Sequence, residues 1–173
     1  MAHLNSTAQL LRVDHAGERG AICIYRGQIA VARLLHKPLV DPLEEMLSHE
    51  LRHFSTFDAI LKHRDIRSCH ALALWALGGW VIGITTALMG ERAVWVCTAA
   101  IENTVNEHLE HQVDFLGQAD LEVFAAVQSI RRDEEAHENH ALEHGGHGGG
   151  LYAILRWTIR GATSLAIWLS TKL

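Results

Sequence analysis

Two Glu-x-x-His pairs constrain this chain more than any other feature of its sequence. Glu50-x-x-His53 and Glu134-x-x-His137 lie 84 positions apart. On an α-helix, residues three positions apart share one face, so the carboxylate and the imidazole of each pair can bind one metal ion. The pattern therefore predicts two helices that each contribute a glutamate and a histidine to a metal site.

A further glutamate precedes each pair by the same interval. Glu18 stands 32 positions before Glu50, and Glu102 stands 32 positions before Glu134. Two Glu-x-x-His motifs, with one more glutamate on each of two other helices, are the ligand set of ferritin-like di-iron or di-manganese bundles. Either pair alone is more often a helix-surface pair, so the prediction rests on the shared register. The predicted metal ligands are Glu18, Glu50, His53, Glu102, Glu134 and His137.

Helical periodicity divides the chain into two helical hairpins. Residues about 6-65 contain two helices joined by a short turn, and residues about 91-144 repeat this arrangement. Helices joined by so short a turn are antiparallel neighbours. We therefore predict an all-α, ferritin-like four-helix bundle of two helix-hairpin repeats, plus two extra apolar helices at about 71-90 and 151-172, in a single domain over residues 1-173.

The two turns are predicted from their punctuating residues. In the first hairpin, Asp41 followed by Pro42 predicts an N-cap and a first-turn proline. Glu18 lies about 20 residues before that turn, and Glu50 lies about ten after it. At a helical rise of 1.5 Å per residue, the two would lie at the same height along the bundle only if the first helix bends or the turn is longer. The second hairpin is expected to break near 116-120.

The two apolar segments allow more than one interpretation. The first has no charged residue over 71-90 and is long enough to span a membrane. A single span would separate the two halves of the predicted metal site, so the segment is either a core helix or a helix lying on one leaflet. Four of the five tryptophans fall in the two segments, as is typical of membrane-interface aromatics. We expect 71-90 and 151-173 to attach the protein peripherally to a membrane.

Other features narrow the location and the partners. A net charge of -5 argues against nucleic acid as a partner. Three separated cysteines indicate neither a disulfide framework nor a thiolate metal site. The first residues contain no secretory signal, so we expect the cytoplasmic face of a bacterial inner membrane. A run of histidines at 137, 140, 144 and 147 suggests a second metal site, but Gly145-Gly146 favours a fraying helix end instead.

Longer motifs match a known family. They are LRVDHAGE at 11-18, IYRGQ at 24-28, TALMGE at 86-91, CTAAIE at 97-102, DEEAH at 133-137 and AIWLS at 166-170. With them the chain resembles the demethoxyubiquinone hydroxylase family of ubiquinone biosynthesis over nearly its whole length. The resemblance implies two iron ions held by the six residues, with Glu50 and Glu134 as candidate bridges. It also implies O2 as co-substrate, a polyprenyl quinone as substrate, a monotopic membrane position, and a possible homo-oligomer or accessory biosynthesis proteins.

The chain departs from this family after Glu102. Asn103 replaces an acidic residue, and Leu109 stands where the family commonly has a tyrosine. Tyr25 occupies the repeat-equivalent position of Leu109 and is either a relay residue or a packed aromatic. His108 suits a substrate-channel or outer position better than a direct ligand position. Tyr25 and His108 are thus the candidate catalytic residues.

A second function class fits the same ligand set. A ferritin-like iron-oxidising or iron-storage protein would need no organic substrate, and fold and ligands alone do not fix function. The two tryptophan-bearing apolar segments argue against it, because a soluble storage shell has no use for them.

Overall fold

The bundle is all-helical, as predicted. In a computed structural model, which describes residues 6–173, the chain forms six α-helices and, over that range, no strand. The helices are α1 (Thr7–Leu35), α2 (Val40–His63), α3 (Leu72–Leu88), α4 (Glu91–Ala119), α5 (Leu121–Glu143) and α6 (Leu151–Ser170). The hairpins α1–α2 and α4–α5 form a ferritin-like four-helix bundle, and α3 and α6 are the two extra apolar helices.

The connection between α1 and α2 differs from its prediction. A 3-10 turn at Lys37–Leu39, with a proline at its start, leads directly into α2 at Val40. Asp41 therefore lies within the first turn of α2, and its predicted N-cap role is wrong. The helical backbone begins before Asp41, so no extended cap residue precedes it.

The end of α1 projects beyond the start of α2. Leu34 is 81% exposed, whereas Leu39 and Leu43 are buried in one cluster with Ile29. The turn thus folds back along α1 instead of extending its axis. With this overhang, the side chains of Glu18 and Glu50 lie together at the centre of the bundle.

A single residue, Asp120, joins α4 to α5. Its extended backbone ends α4, and its side chain accepts a hydrogen bond from Val123 N as the N-cap of α5. The guanidinium of Arg64, at the end of α2, donates to the carboxylates of Asp120 and Glu122. This end of the bundle is therefore held by a cap and an ion pair that share one carboxylate. The break predicted near 116-120 is confirmed.

Helix α3 lies against α1 through glycines. A Cβ on Gly83 would overlap the carbonyl oxygen of Ile24, and a Cβ on Gly79 would overlap that of Gly20. The backbones can approach this closely only because these positions have no side chain. Most of the large apolar side chains of α3 are exposed, so α3 is not an ordinary core helix.

Exposed apolar side chains are concentrated on α3 and α6. They include Leu74, Leu77, Trp80, Val81, Ile84, Leu88, Leu151, Ile154, Trp157, Leu165 and Trp168. Arg160 ties α6 to α4 by donating to Asn103 and to the carboxylate of Glu107. Across residues 6–173, none of the helices combines the length and apolar character that crossing a bilayer requires.

The histidine run ends as the glycines predict. Helix α5 stops at Glu143, and Gly145 adopts a left-handed backbone with φ of 96°. His140 and His144 stack on each other beside Trp95. Within the described chain they join no cluster of possible metal ligands.

Candidate metal centre and cavity

All six predicted ligand side chains meet at the centre of the bundle, and all are buried. Their nitrogen and oxygen atoms form two groups of four, each with its atoms within 4.8 Å of one another. One group is Glu18, Glu50, His53 and Glu134, and the other is Glu50, Glu102, Glu134 and His137. Glu50 and Glu134 belong to both groups, so each hairpin supplies one carboxylate that the two groups share.

Both imidazoles present Nδ1 to the carboxylates. His53 Nδ1 lies 3.1 Å from Glu134 Oε1 and 3.7 Å from Glu18 Oε2. His137 Nδ1 lies 3.2 Å from Glu134 Oε2 and 3.4 Å from Glu50 Oε1. The two histidines thus face the same carboxylate from opposite hairpins.

Several of these buried atoms lack a hydrogen-bond partner. Among the described residues, no well-formed hydrogen bond reaches Nδ1 of His53, Nδ1 of His137, Oε1 of Glu50 or Oε2 of Glu134. Unpaired buried polar atoms are costly in a folded protein, and a cation among them would satisfy all four. Carboxylate oxygens with two imidazole nitrogens are a donor set suited to iron or manganese. The residues present therefore fit a metal centre.

Burial and mutual repulsion shift the pKa values of this cluster. Burial raises the pKa of Glu18 to about 7, and burial together with the charge of Glu134 raises the pKa values of Glu50 and Glu102 well above their ordinary range. Burial alone would also raise the pKa of Glu134, but the adjacent imidazoles of His137 and His53 lower it to about 2. Glu134 is thus the carboxylate that stays ionised between the two histidines.

The far side of each imidazole is also held. His53 Nε2 lies 3.0 Å from Oδ2 of Asp133, and His137 Nε2 lies 3.1 Å from Nδ1 of His49. Such contacts fix the ring orientation and leave Nδ1 free for a metal ion. Asp133 and His49 were not among the predicted site residues, although each directly precedes a predicted glutamate ligand.

Tyr25 contacts the cluster directly. Its hydroxyl donates a 2.7 Å hydrogen bond to Oε1 of Glu102, and both side chains are buried. Burial, followed by the charge of Glu102, raises the pKa of the Tyr25 hydroxyl well above its ordinary value. Tyr25 is therefore a neutral hydrogen-bond donor to one predicted ligand.

A cavity of about 320 Å³ leads to the carboxylates. Its walls come from α1, α3, α4 and α6, and they are mostly aliphatic, glycine and alanine residues. Glu18, Glu50, Glu102 and Glu134 line it at the cluster. An apolar ring could therefore reach the candidate metal centre along walls that are mostly apolar.

His108 lines the same cavity beside Asp14, which Gln112 holds by a hydrogen bond, and neither of these two residues was among the predicted site residues. His108 Nε2 lies 3.3 Å from Oδ1 of Asp14, and the amide of Gln112 donates to the same oxygen at 2.9 Å. The Asp14 side chain is only 1% exposed, whereas that of His108 is 16% exposed. Helical spacing could have suggested Gln112, which lies one turn beyond His108, but Asp14 is on another helix.

The fold and this site define a ferritin-like carboxylate bundle with a buried candidate metal centre under an apolar cavity. The sequence matches the family described as Ubiquinone biosynthesis protein COQ7 over residues 5–170. The chain belongs to this family.

Named relatives align with almost the whole chain. A Rhodospirillum rubrum protein named 3-demethoxyubiquinol 3-hydroxylase is 37% identical over 164 residues, covering 95% of this chain and 77% of its own length. Proteins from Rattus norvegicus and Dictyostelium discoideum are 32% and 33% identical over 169 and 168 residues, each covering 95% of this chain and 76% of its own length. Both are named NADPH-dependent 3-demethoxyubiquinone 3-hydroxylase, mitochondrial.

Proposed function

We propose that this protein is a di-iron monooxygenase that hydroxylates the ring of demethoxyubiquinol, using O2 and two electrons. The observation that supports this most is the apolar cavity that ends on two four-residue groups of carboxylates and imidazoles. The names of the relatives indicate the same reaction class and a quinone-type substrate.

Each iron ion would be held by one histidine, one unshared glutamate and the two shared glutamates. Glu18 and His53 would belong to one ion, Glu102 and His137 to the other, and Glu50 and Glu134 to both. The bound ions would supply the two-electron reduction of O2, which the side chains themselves cannot perform.

The chain's own residues would bind the substrate and exclude water. The aliphatic and glycine walls of the cavity match an apolar ring with a prenyl chain. His108 lies beside Asp14 on the cavity wall, and its imidazole would position a ring oxygen of the substrate. With the cavity filled, little water would reach the carboxylate cluster.

We further propose that α3 and α6 attach the protein peripherally to the cytoplasmic face of a bacterial inner membrane. The exposed side chains of Trp80, Trp157 and Trp168 lie on these two helices, beside many exposed leucines. The same two helices form cavity walls, so a lipid-dissolved quinone would meet the cavity where the helices touch the bilayer. The side of the membrane stays a prediction.

The experiment is mass spectrometry of the quinone after reaction. Full-length protein loaded with Fe2+ in detergent is mixed with demethoxyubiquinol, O2 and a chemical reductant. We expect a product heavier by one oxygen atom from the wild type. The Glu134→Ala variant should give none, because it removes a carboxylate common to both groups.

A matched control separates this effect from general damage to α5. Glu135→Ala removes the exposed neighbouring carboxylate, which pairs with Arg131 one turn away, and should leave product formation intact. If iron is bound and O2 is consumed but the quinone returns unchanged, the monooxygenase proposal fails and an iron-oxidising protein becomes the better account.

A further inference from the structure

The two hairpins hold their histidines through positions that are equivalent in the repeat. His49 directly precedes Glu50, and Asp133 directly precedes Glu134, so the two positions are also 84 residues apart. Asp133 contacts Nε2 of His53 in the opposite hairpin, and His49 contacts Nε2 of His137 in the opposite hairpin. The internal repeat therefore places one residue at the same position in each hairpin, but the two side chains differ.

The two contacts differ in chemistry. With Nδ1 turned to the carboxylate cluster, Nε2 carries the ring proton and donates it. At His53 the acceptor is the carboxylate of Asp133, which forms a charge-assisted hydrogen bond and makes the imidazole a stronger donor to a metal ion. At His137 the acceptor is the ring nitrogen of His49, which carries no formal negative charge when it accepts. His53 is therefore the stronger of the two nitrogen ligands.

A second asymmetry acts in the same direction. Tyr25 donates a hydrogen bond to Oε1 of Glu102 and withdraws electron density from that ligand. The repeat-equivalent residue is Leu109, which has no group to donate to Glu18. Arg52 lies 3.8 Å from Asp133 but is 60% exposed, so it weakens the effect of that carboxylate only slightly.

We propose that Asp133 and His49 are positioning residues that make the two metal positions unequal, the position of Glu18 and His53 binding an ion more tightly than that of Glu102 and His137. This inference rests on the proposed di-metal function. Ions would then load in order, the first beside His53 and the second beside His137.

The test is a titration of the metal-free full-length protein with Mn2+. Calorimetry and electron paramagnetic resonance monitor the binding. We expect two binding steps whose dissociation constants differ by about tenfold or more. At one equivalent the spectrum should be that of an isolated bound ion, and a spin-coupled pair should dominate only near two equivalents. Neither readout depends on turnover.

Variants assign the two steps to the two positions. Asp133→Asn should weaken the tighter step about ten- to a hundredfold and leave the weaker step nearly unchanged. His49→Asp should tighten the weaker step and bring the two dissociation constants closer together. Asp58→Asn is the matched control, since Asp58 lies on α2 outside both groups and should change neither step.

The possible failures are distinguishable. A coupled-pair spectrum already at one equivalent, or two identical steps, would overturn the inequality and leave the di-metal function standing. Absence of any saturable binding would overturn both. The wild-type titration alone decides between these outcomes, so the test holds even if Asp133→Asn does not fold.

Discussion

The hydroxyl of Tyr25 lies 2.7 Å from Oε1 of Glu102 and donates to it inside the bundle. Tyr25→Phe removes this donor and leaves a buried carboxylate oxygen with one partner fewer. We expect the metal-free protein to lose about 1–3 kcal/mol of unfolding free energy, measured by urea denaturation. Turnover should also fall.

The control for this substitution is Tyr152→Phe. The Tyr152 ring lies under the guanidinium of Arg92 and belongs to neither group of candidate metal ligands. The substitution removes only its hydroxyl. Unchanged stability and turnover in Tyr25→Phe would leave Tyr25 as a packed aromatic without a role in the reaction.

The His108 side chain is expected to act on the substrate and not on the metal ions. It lines the cavity and contacts Asp14, but it belongs to neither group of candidate ligands. His108→Ala should therefore retain metal stoichiometry and lower turnover, measured by metal analysis and by product formation. His111→Ala, one turn away on the exposed side of α4, is the control. Turnover equal to that of the wild type would remove His108 from the mechanism.

The glycine contact between α1 and α3 predicts a position-specific loss of stability. A Cβ at Gly83 would overlap the backbone of Ile24, so Gly83→Ala should cost about 1–3 kcal/mol as the helices move apart. A Cβ at Gly78, on the same helix, meets nothing within 4 Å. Gly78→Ala should be neutral or stabilise α3 by up to about 1 kcal/mol. Thermal unfolding of both variants checks the difference, and equal effects would contradict the packing argument.

The ion pair at the α4–α5 turn predicts a pH-dependent stability. The hydrogen bond from Arg64 holds the pKa of Asp120 below its ordinary value. Stability from a lowered carboxyl pKa is present above the unfolded pKa of about 3.9 and is lost as the pH falls through the folded pKa. Asp120→Asn keeps a favourable N-cap, so it should cost about 1 kcal/mol at pH 7 and progressively less below pH 4. Urea denaturation of both proteins from pH 3 to 7 measures this, and a cost that does not change with pH would contradict it.

Removal of metal should destabilise the bundle. Without a cation, four buried glutamates face one another at its centre. An ion present at about a hundredfold its dissociation constant adds about 2.7 kcal/mol to the folded state, so chelation should lower the midpoint of thermal unfolding by about 5–10 °C. Glu134→Ala should show a much smaller shift on chelation, whereas Glu135→Ala should behave like the wild type.

Much of this arrangement is predictable from residue spacing. A helical hairpin repeated after 84 positions places equivalent residues symmetrically about the bundle axis, so the six side chains were expected to meet. The break between α4 and α5 also follows from its turn residues, whereas the N-cap predicted at Asp41 does not form. Whether the six residues bind iron stays a prediction.

Other features depend on contacts that spacing does not encode. The overhang of α1 results from a turn that folds back along the helix. The number of residues in each helix does not predict the direction of that turn. Asp14 reaches His108 from a different helix. His49 and Asp133 do share the repeat register, but their side chains differ, and a search for identical residues overlooks such a pair.

Because both groups of candidate ligands include Glu50 and Glu134, neither hairpin alone contains a complete group of four. Each group of four takes three residues from one hairpin and one from the other. A fragment ending after α2 or beginning at α4 would therefore hold three of the four donors of its own group. Bound metal would act as a crosslink between segments distant in sequence, closing a long loop much as a disulfide does. Two such fragments, mixed, should thus assemble more tightly in the presence of metal than in its absence.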